Sequence, residues 1–170
     1  MRILAFFFLL LLLPVLLFIS LGIILSMGLP IIFCQERIGK EKKPFKIIKF
    51  RSMENGKIPF FGKFIRKFGL DEIPQLINII KGDMEFVGPR PLTKADIERL
   101  GWDTEKAAKR WEVKPGITGQ AQLLSICDAE LSLQKDIEYI THKSFLLNLR
   151  IIKQSILIPF IGKKKQKASK

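Results

Sequence analysis

Asp71 and Glu72 are adjacent carboxylates, with Pro74 three residues after the first. Proline has no amide hydrogen and is tolerated only in the first turn of a helix, where that hydrogen has no intrahelical partner. The pair is therefore predicted to open a short amphipathic helix over 70–80. Aligned backbone dipoles at such an end stabilise anions and attract phosphate. Two chemistries fit: an ionised carboxylate attacking phosphorus, or two hard oxygen donors holding Mg²⁺. The plain alternative is that Asp71 only caps the helix by accepting from a free amide.

Gly88-Pro89-Arg90-Pro91 is the second chemical feature. Prolines on both sides of Arg90 restrict the backbone, so its planar guanidinium is presented for two-pronged contact with phosphate. Lys49, Arg51 and Arg66 are further cations near these elements. Each alone reads as a solvated surface charge; gathered around the two carboxylates they would make a site for a diphosphate bridged by Mg²⁺. The single histidine, His142, and the two cysteines, Cys34 and Cys127, form no metal-ligand spacing. This disfavours zinc and points to reduced thiols and carboxylate-held Mg²⁺.

The elements that must position these groups read as an α+β domain over 34–160. Ile31–Gln35 and Phe45–Phe50 are predicted strands of one hairpin, joined by a polar turn holding Gly39 and Pro44. Glu54-Asn55-Gly56-Lys57 is a second turn. Phe61, Phe64, Ile65 and Phe68 share one helical face, suited either to a core or to a membrane interface. In the helix over 70–80, Ile73, Leu76, Ile77 and Ile80 form the apolar face, Asp71, Gln75 and Asn78 lie on the other side, and Gly82 caps its end. Met84–Val87 is a short strand. Residues 93–111 read as a charged, exposed helical segment, and Lys114-Pro115-Gly116-Ile117-Thr118-Gly119 as a tight loop. Two helices follow, Asp128–Lys143 and Ser144–Phe160, the second with Phe145, Leu146, Leu149, Ile152 and Ile156 apolar. Residues 161–170 form a basic tail, either solvated or touching anionic lipid headgroups.

Residues 1–33 stand apart. Ile3 to Phe33 carries no charge, longer than the roughly 20 apolar residues that cross a bilayer and too long for a usual cleaved signal. Pro14 is expected to kink it. Length alone favours a spanning helix over one that dips into a single leaflet. The net charge of +13 lies almost wholly downstream, so the domain is expected on the cytoplasmic face of the membrane. Such charge implies an anionic partner; no nucleic-acid-binding module is recognisable, so nucleic acid is disfavoured. Nothing in the sequence specifies an oligomeric state.

The ordered blocks Phe33-Cys34-Gln35-Glu36-Arg37-Ile38-Gly39, Lys49-Phe50-Arg51-Ser52-Met53, Leu70-Asp71-Glu72-Ile73-Pro74-Gln75-Leu76, Lys81-Gly82-Asp83-Met84, Val87–Leu92 and Lys114–Gly119 with Ala121-Gln122 span nearly the whole chain. In these the sequence resembles the bacterial sugar transferases that are minimal monotopic phosphoglycosyl transferases. The resemblance implies transfer of a sugar-1-phosphate from a UDP-sugar to polyprenol (undecaprenyl) phosphate, with UMP released and a phosphosugar held covalently on Asp71. It implies that Glu72 assists with Mg²⁺, that Arg66 and Arg90 bind phosphate, and that the N-terminal helix is re-entrant, broken near Pro14, at the bacterial inner membrane. Gly69 stands where the family has serine, and Leu123–Glu130 departs from the family's pattern. Rival functions are a metal-dependent nucleotide-sugar hydrolase and a non-catalytic basic membrane adaptor.

Overall fold

The computed structural model describes residues 1–125 and 128–165; Cys127 and residues 166–170 of the basic tail lie outside the described residues. It is of mixed helix and strand. The chain forms two compact units, Met1–Glu36 with Lys46–Gly82, and Arg37–Phe45 with Asp83–Lys170.

The first unit begins with α1 (Arg2–Leu11) and α2 (Leu13–Met27), which meet at 62°. Pro14 lies in the first turn of α2, where its missing N–H costs nothing, and α1 ends just before it. Among the described residues no single helix is long and apolar enough to cross a membrane; by length and composition alone the bent pair together reaches that measure. Most of its large apolar side chains are exposed, among them Phe7, Leu11, Leu17, Phe18 and Leu25. The remaining face is packed: Ile19, Ile23 and Met27 join Phe50 and Ile65 in one buried cluster.

The chain then forms the two-stranded sheet of β1 (Ile32–Ile38) and β2 (Pro44–Phe50), so the first strand runs three residues past its expected end. α3 (Phe60–Lys67) follows the turn at Glu54–Lys57. Its aromatic face divides. Phe61 and Ile65 pack into the cluster, while Phe60 and Phe64 stay exposed. Phe61 occupies the space where a side chain at position 22 would stand, so Gly22 is the notch that lets α3 approach α2. Gly62 serves likewise against the Ser52 carbonyl.

The helix expected over 70–80 is two pieces: a 3-10 helix, Leu70–Gln75, and α4, Leu76–Lys81, ended by Gly82 at φ 92°. Its facing departs in part from the expectation. Leu76 of the apolar face is buried, but so are Asp71, Gln75 and Asn78, while Ile73, Ile77 and Ile80 are only half-buried. The reason is visible at Asn78, whose side chain accepts from the Ile48 amide at 3.0 Å and donates to the Lys46 carbonyl at 2.8 Å. It satisfies backbone groups of β2, so the polar side of the helix faces the strand. α1 packs along α4.

In the second unit, β3 (Glu85–Val87) pairs in parallel with β4 (Gly116–Thr118), so part of the expected tight loop is a strand. α5 (Lys94–Leu100) opens with a capping box between Thr93 and Asp96. A 3-10 helix follows over Glu105–Glu112, then β5 (Leu124–Ser125), α6 (Ala129–Thr141), α7 (Phe145–Ile161) and β6 (Lys164–Lys165), which pairs in parallel with β5. The segment expected to be exposed over 93–111 contributes Ile97, Trp102, Ala107 and Trp111 to a core with Leu92 and Leu133. On α7, Ile151 is buried, while Phe145, Leu146, Leu149, Ile156 and Phe160 are exposed.

An ion pair sits inside this core. The Arg110 guanidinium donates to Asp136 at 2.9 Å and to the Arg90 carbonyl, and lies about 5 Å from the rings of both Trp102 and Trp111. Both charged residues are only 3% exposed. Burial pushes Asp136 up and Arg110 down, and the facing charge opposes each shift. Removing one partner strands a buried charge, which costs about 3–5 kcal/mol, whereas replacing both by apolar groups is close to neutral. Urea unfolding of the solubilised protein is expected to show that loss for Asp136→Ala and most of it recovered in Arg110→Met/Asp136→Leu. A loss under about 1 kcal/mol, the range of exposed pairs, would contradict this account.

Candidate active site

In the first unit the chain enters the 3-10 helix through Gly69, whose φ of 66° is a left-handed conformation that glycine adopts without strain. Gly69 holds the capping position, and no side chain caps this end. Asp71 is therefore not the cap that its position suggested. It is 8% exposed and forms no ion pair among the described residues, while the neighbouring Glu72 accepts from Lys49 Nζ at 2.8 Å. The two acids thus differ: one is neutralised and the other is not.

Burial is the main cause that pushes the Asp71 carboxyl above its ordinary value, with the Glu72 charge adding to it and the Lys49 and Arg66 charges opposing. Both cations are thus near enough to act on Asp71 through space. Arg66 is exposed on the last turn of α3 and free to meet an anion from solvent. The side-chain amide nitrogen of Gln75, one turn on, is buried without a hydrogen-bond partner.

Arg51 is engaged with the backbone at the end of α2. Its guanidinium donates to the carbonyls of Met27, Gly28 and Leu29, the last two at 2.7 and 3.0 Å. These carbonyls end α2, where backbone acceptors lack partners and a cation is favoured. Arg51, expected to join Lys49 on substrate phosphate, is occupied at these carbonyls. At the other end of the helical pair, the Arg2 guanidinium lies against Gly82, at the carbonyl end of α4.

Among the described residues no group of three or more acidic, histidine or cysteine side chains could hold a metal ion. Asp71 and Glu72 nevertheless fit Mg²⁺, which takes one or two carboxylates and completes its shell with water and substrate phosphate. Two adjacent carboxylates, one of them buried and unneutralised, are a donor set of that kind.

In the second unit the backbone before Arg90 is held by the strand following Pro115. The Gly88 amide donates to the Thr118 carbonyl at 2.8 Å and the Gly116 amide to the Pro89 carbonyl at 3.0 Å. Gly88, Gly116 and Gly119 approach so closely that a side-chain carbon on any of them would meet backbone atoms. Arg90 is exposed at the end of this ladder, and Arg110 holds its carbonyl from below. Arg110, Asp136 and Gln122 were not singled out by residue pattern. A signal existed for Asp136, since Leu133, Asp136 and Tyr139 share the buried side of α6, and an acid among apolar neighbours asks for a partner.

A family model described as bacterial sugar transferase matches residues 2–162. The uncharacterized sugar transferase EpsL of Bacillus subtilis (strain 168) is 40% identical over 142 residues, covering 75% of this chain and 69% of that protein. The UDP-glucose:undecaprenyl-phosphate glucose-1-phosphate transferase of Escherichia coli (strain K12) is 38% identical over 182 residues, covering 95% of this chain and 39% of that protein. The UDP-N-acetylgalactosamine-undecaprenyl-phosphate N-acetylgalactosaminephosphotransferase of Aeromonas hydrophila is 33% identical over 146 residues, covering 75% of this chain and 34% of that protein. The chain thus spans well under half the length of these last two relatives.

Burial of Asp71 makes its ionisation a load on the folded state. Its pKa is higher folded than unfolded, so the folded state binds more protons between the two values and stability falls as pH rises through that window. Asparagine has no such ionisation. Asp71→Asn is therefore expected to melt at a higher temperature than the wild type at pH 7, with the difference closing as pH falls below the ordinary value of 3.8. Thermal scans across pH measure this, and a difference that does not change with pH would contradict it.

Proposed function

The chain belongs to the bacterial sugar transferase family, and on that premise we propose that it moves a sugar-1-phosphate from a UDP-sugar to undecaprenyl phosphate, with Asp71 as covalent nucleophile. The supporting relatives are named for transfers of this type. The observation that supports the assignment of Asp71 is its state: a buried carboxylate with no ion pair among the described residues, beside an acid already neutralised by Lys49.

In the first half-reaction an Asp71 carboxylate oxygen bonds to the β-phosphorus of the donor. The bond from that phosphorus to the bridging oxygen breaks, and the electron pair leaves with UMP. In the second, a phosphate oxygen of undecaprenyl phosphate bonds to the same phosphorus and releases the Asp71 carboxylate. The products are UMP and undecaprenyl diphosphate sugar. Phosphoryl transfer of this kind depends on alignment and charge neutralisation more than on proton transfer. Asp71 and Glu72 would hold Mg²⁺, whose charge offsets that of the diphosphate when bound. Lys49 orients Glu72, and Arg66 meets phosphate oxygens.

The reaction needs the carboxylate at the depth of the acceptor phosphate, and the first unit supports such a placement. Both ends of the bent apolar pair are held within this unit, Arg2 on Gly82 and Met27–Leu29 on Arg51. The exposed apolar side chains between them suit lipid. The helices enter and leave by one face, the cytoplasmic face of the inner membrane.

Two experiments test this. Solubilised protein is incubated with Mg²⁺ and a UDP-sugar and weighed intact: a phosphosugar-sized gain is expected, absent in Asp71→Asn. UMP release with no adduct would count against a covalent step, and free sugar phosphate formed equally with and without undecaprenyl phosphate would mark a hydrolase. Separately, an epitope added before Met1 is expected to resist protease in intact spheroplasts and to be cleaved in inverted vesicles. Cleavage from outside would establish a spanning helix.

A further inference from the structure

We propose that Asn78 is a positioning residue for the acidic pair: by fixing β2 lengthwise against the helix it keeps Lys49 on Glu72 and leaves Asp71 unpaired. This rests on the reading of Asp71 as nucleophile and adds the residue that keeps it available. All the groups concerned lie in the first unit.

Lys49 has two adjacent acids within range of its charge. Its Nζ stands 2.8 Å from Glu72, and its charge also acts on Asp71, which forms no ion pair among the described residues. A lysine ammonium is a point charge on a flexible stem, with no fork that fits one carboxylate better than its neighbour. The side chain therefore does not itself choose between the two acids. The choice falls to where its backbone stands along the helix.

Asn78 sets that place. β2 has one strand neighbour, β1, and the Asn78 amide makes on β2 the two bonds that a further strand would make. It accepts from the Ile48 amide at 3.0 Å and donates to the Lys46 carbonyl at 2.8 Å, so it grips the strand on both sides of Ile47. Successive residues of a strand turn to opposite sides, so a slip of one residue would carry these groups away from the helix. A slip of two would move Lys49 by about 7 Å, out of reach of Glu72. Asn78 is 0% exposed, so breaking this grip leaves buried polar groups unpaired. With β2 released, Lys49 would be free to neutralise Asp71 and so to compete with phosphorus for its carboxylate.

The test is brief acetylation of the full chain in lipid, read by peptide mass spectrometry. It uses Asp71→Asn, in which Lys49 has Glu72 alone to meet. Labelling of Lys49 is taken relative to Lys46, which is exposed on the same strand. Adding Glu72→Gln gives the value for a Lys49 without its partner. Adding Asn78→Ala, or the milder Asn78→Ser, is expected to raise the ratio about fivefold, toward that value. Ile65→Ala truncates the core of the same unit without touching these bonds, and is expected to leave the ratio near its starting value. A ratio unchanged in both Asn78 variants, or raised as much by Ile65→Ala, overturns the proposal. With Asp71 restored, the phosphosugar adduct is expected to form about tenfold more slowly in Asn78→Ser. An unaltered rate beside a raised ratio overturns the bearing of Asn78 on Asp71. A wild type that forms no adduct while the ratio rises as expected overturns the nucleophile reading and leaves the hold of Asn78 on Lys49 standing.

Discussion

Carbonyl groups at the end of an apolar helix need hydrogen-bond donors before the chain can turn away, and in this protein one arginine supplies them. Arg51 gathers the carbonyls of Met27, Gly28 and Leu29, while its own amide donates to the Ile31 carbonyl at 2.8 Å. The end of α2 is thereby bound to the residue that follows β2. Ser52, next along, carries the carbonyl on which Gly62 of α3 rests, and Phe61 fills the notch at Gly22. α3 in turn leads directly to Gly69 and Asp71. The position of the Asp71 carboxylate is thus set by contacts that begin at α2.

Three acids illustrate how burial is used. Asp136 lies deeper than Glu72 and is fully matched by Arg110, with two indole rings covering the guanidinium. Glu72 is matched by Lys49. Asp71 alone is desolvated without a matching charge, and the nearest acidic neighbour makes its ionisation harder. The cost is carried by the surrounding packing. That is the pattern expected where stability yields to chemistry.

Local patterns made part of this legible. Pro74 located the start of the helix that carries the two acids, Gly82 marked its end, and the Gly- and Pro-rich segments before Arg90 and after Lys114 marked the two backbone stretches that pair. Periodicity misjudged the facing of that helix because Asn78 satisfies amide and carbonyl groups of β2, a demand that no hydrophobic pattern displays. It also took 93–111 for surface, since Arg110 reads as polar until Asp136 and two tryptophans are brought around it. Arg51 was legible as a cation but not as a cap, because its acceptors lie 22–24 residues earlier. The family resemblance put Asp71 forward as a nucleophile; residue spacing alone favoured capping over catalysis.

The way the apolar pair is held also bears on how it is made. A ribosome releases α1 and α2 well before Arg51, and the α4 surface on which Arg2 rests emerges later still. During that interval neither end of the pair has its partner. The contacts made later then fix both ends within the first unit.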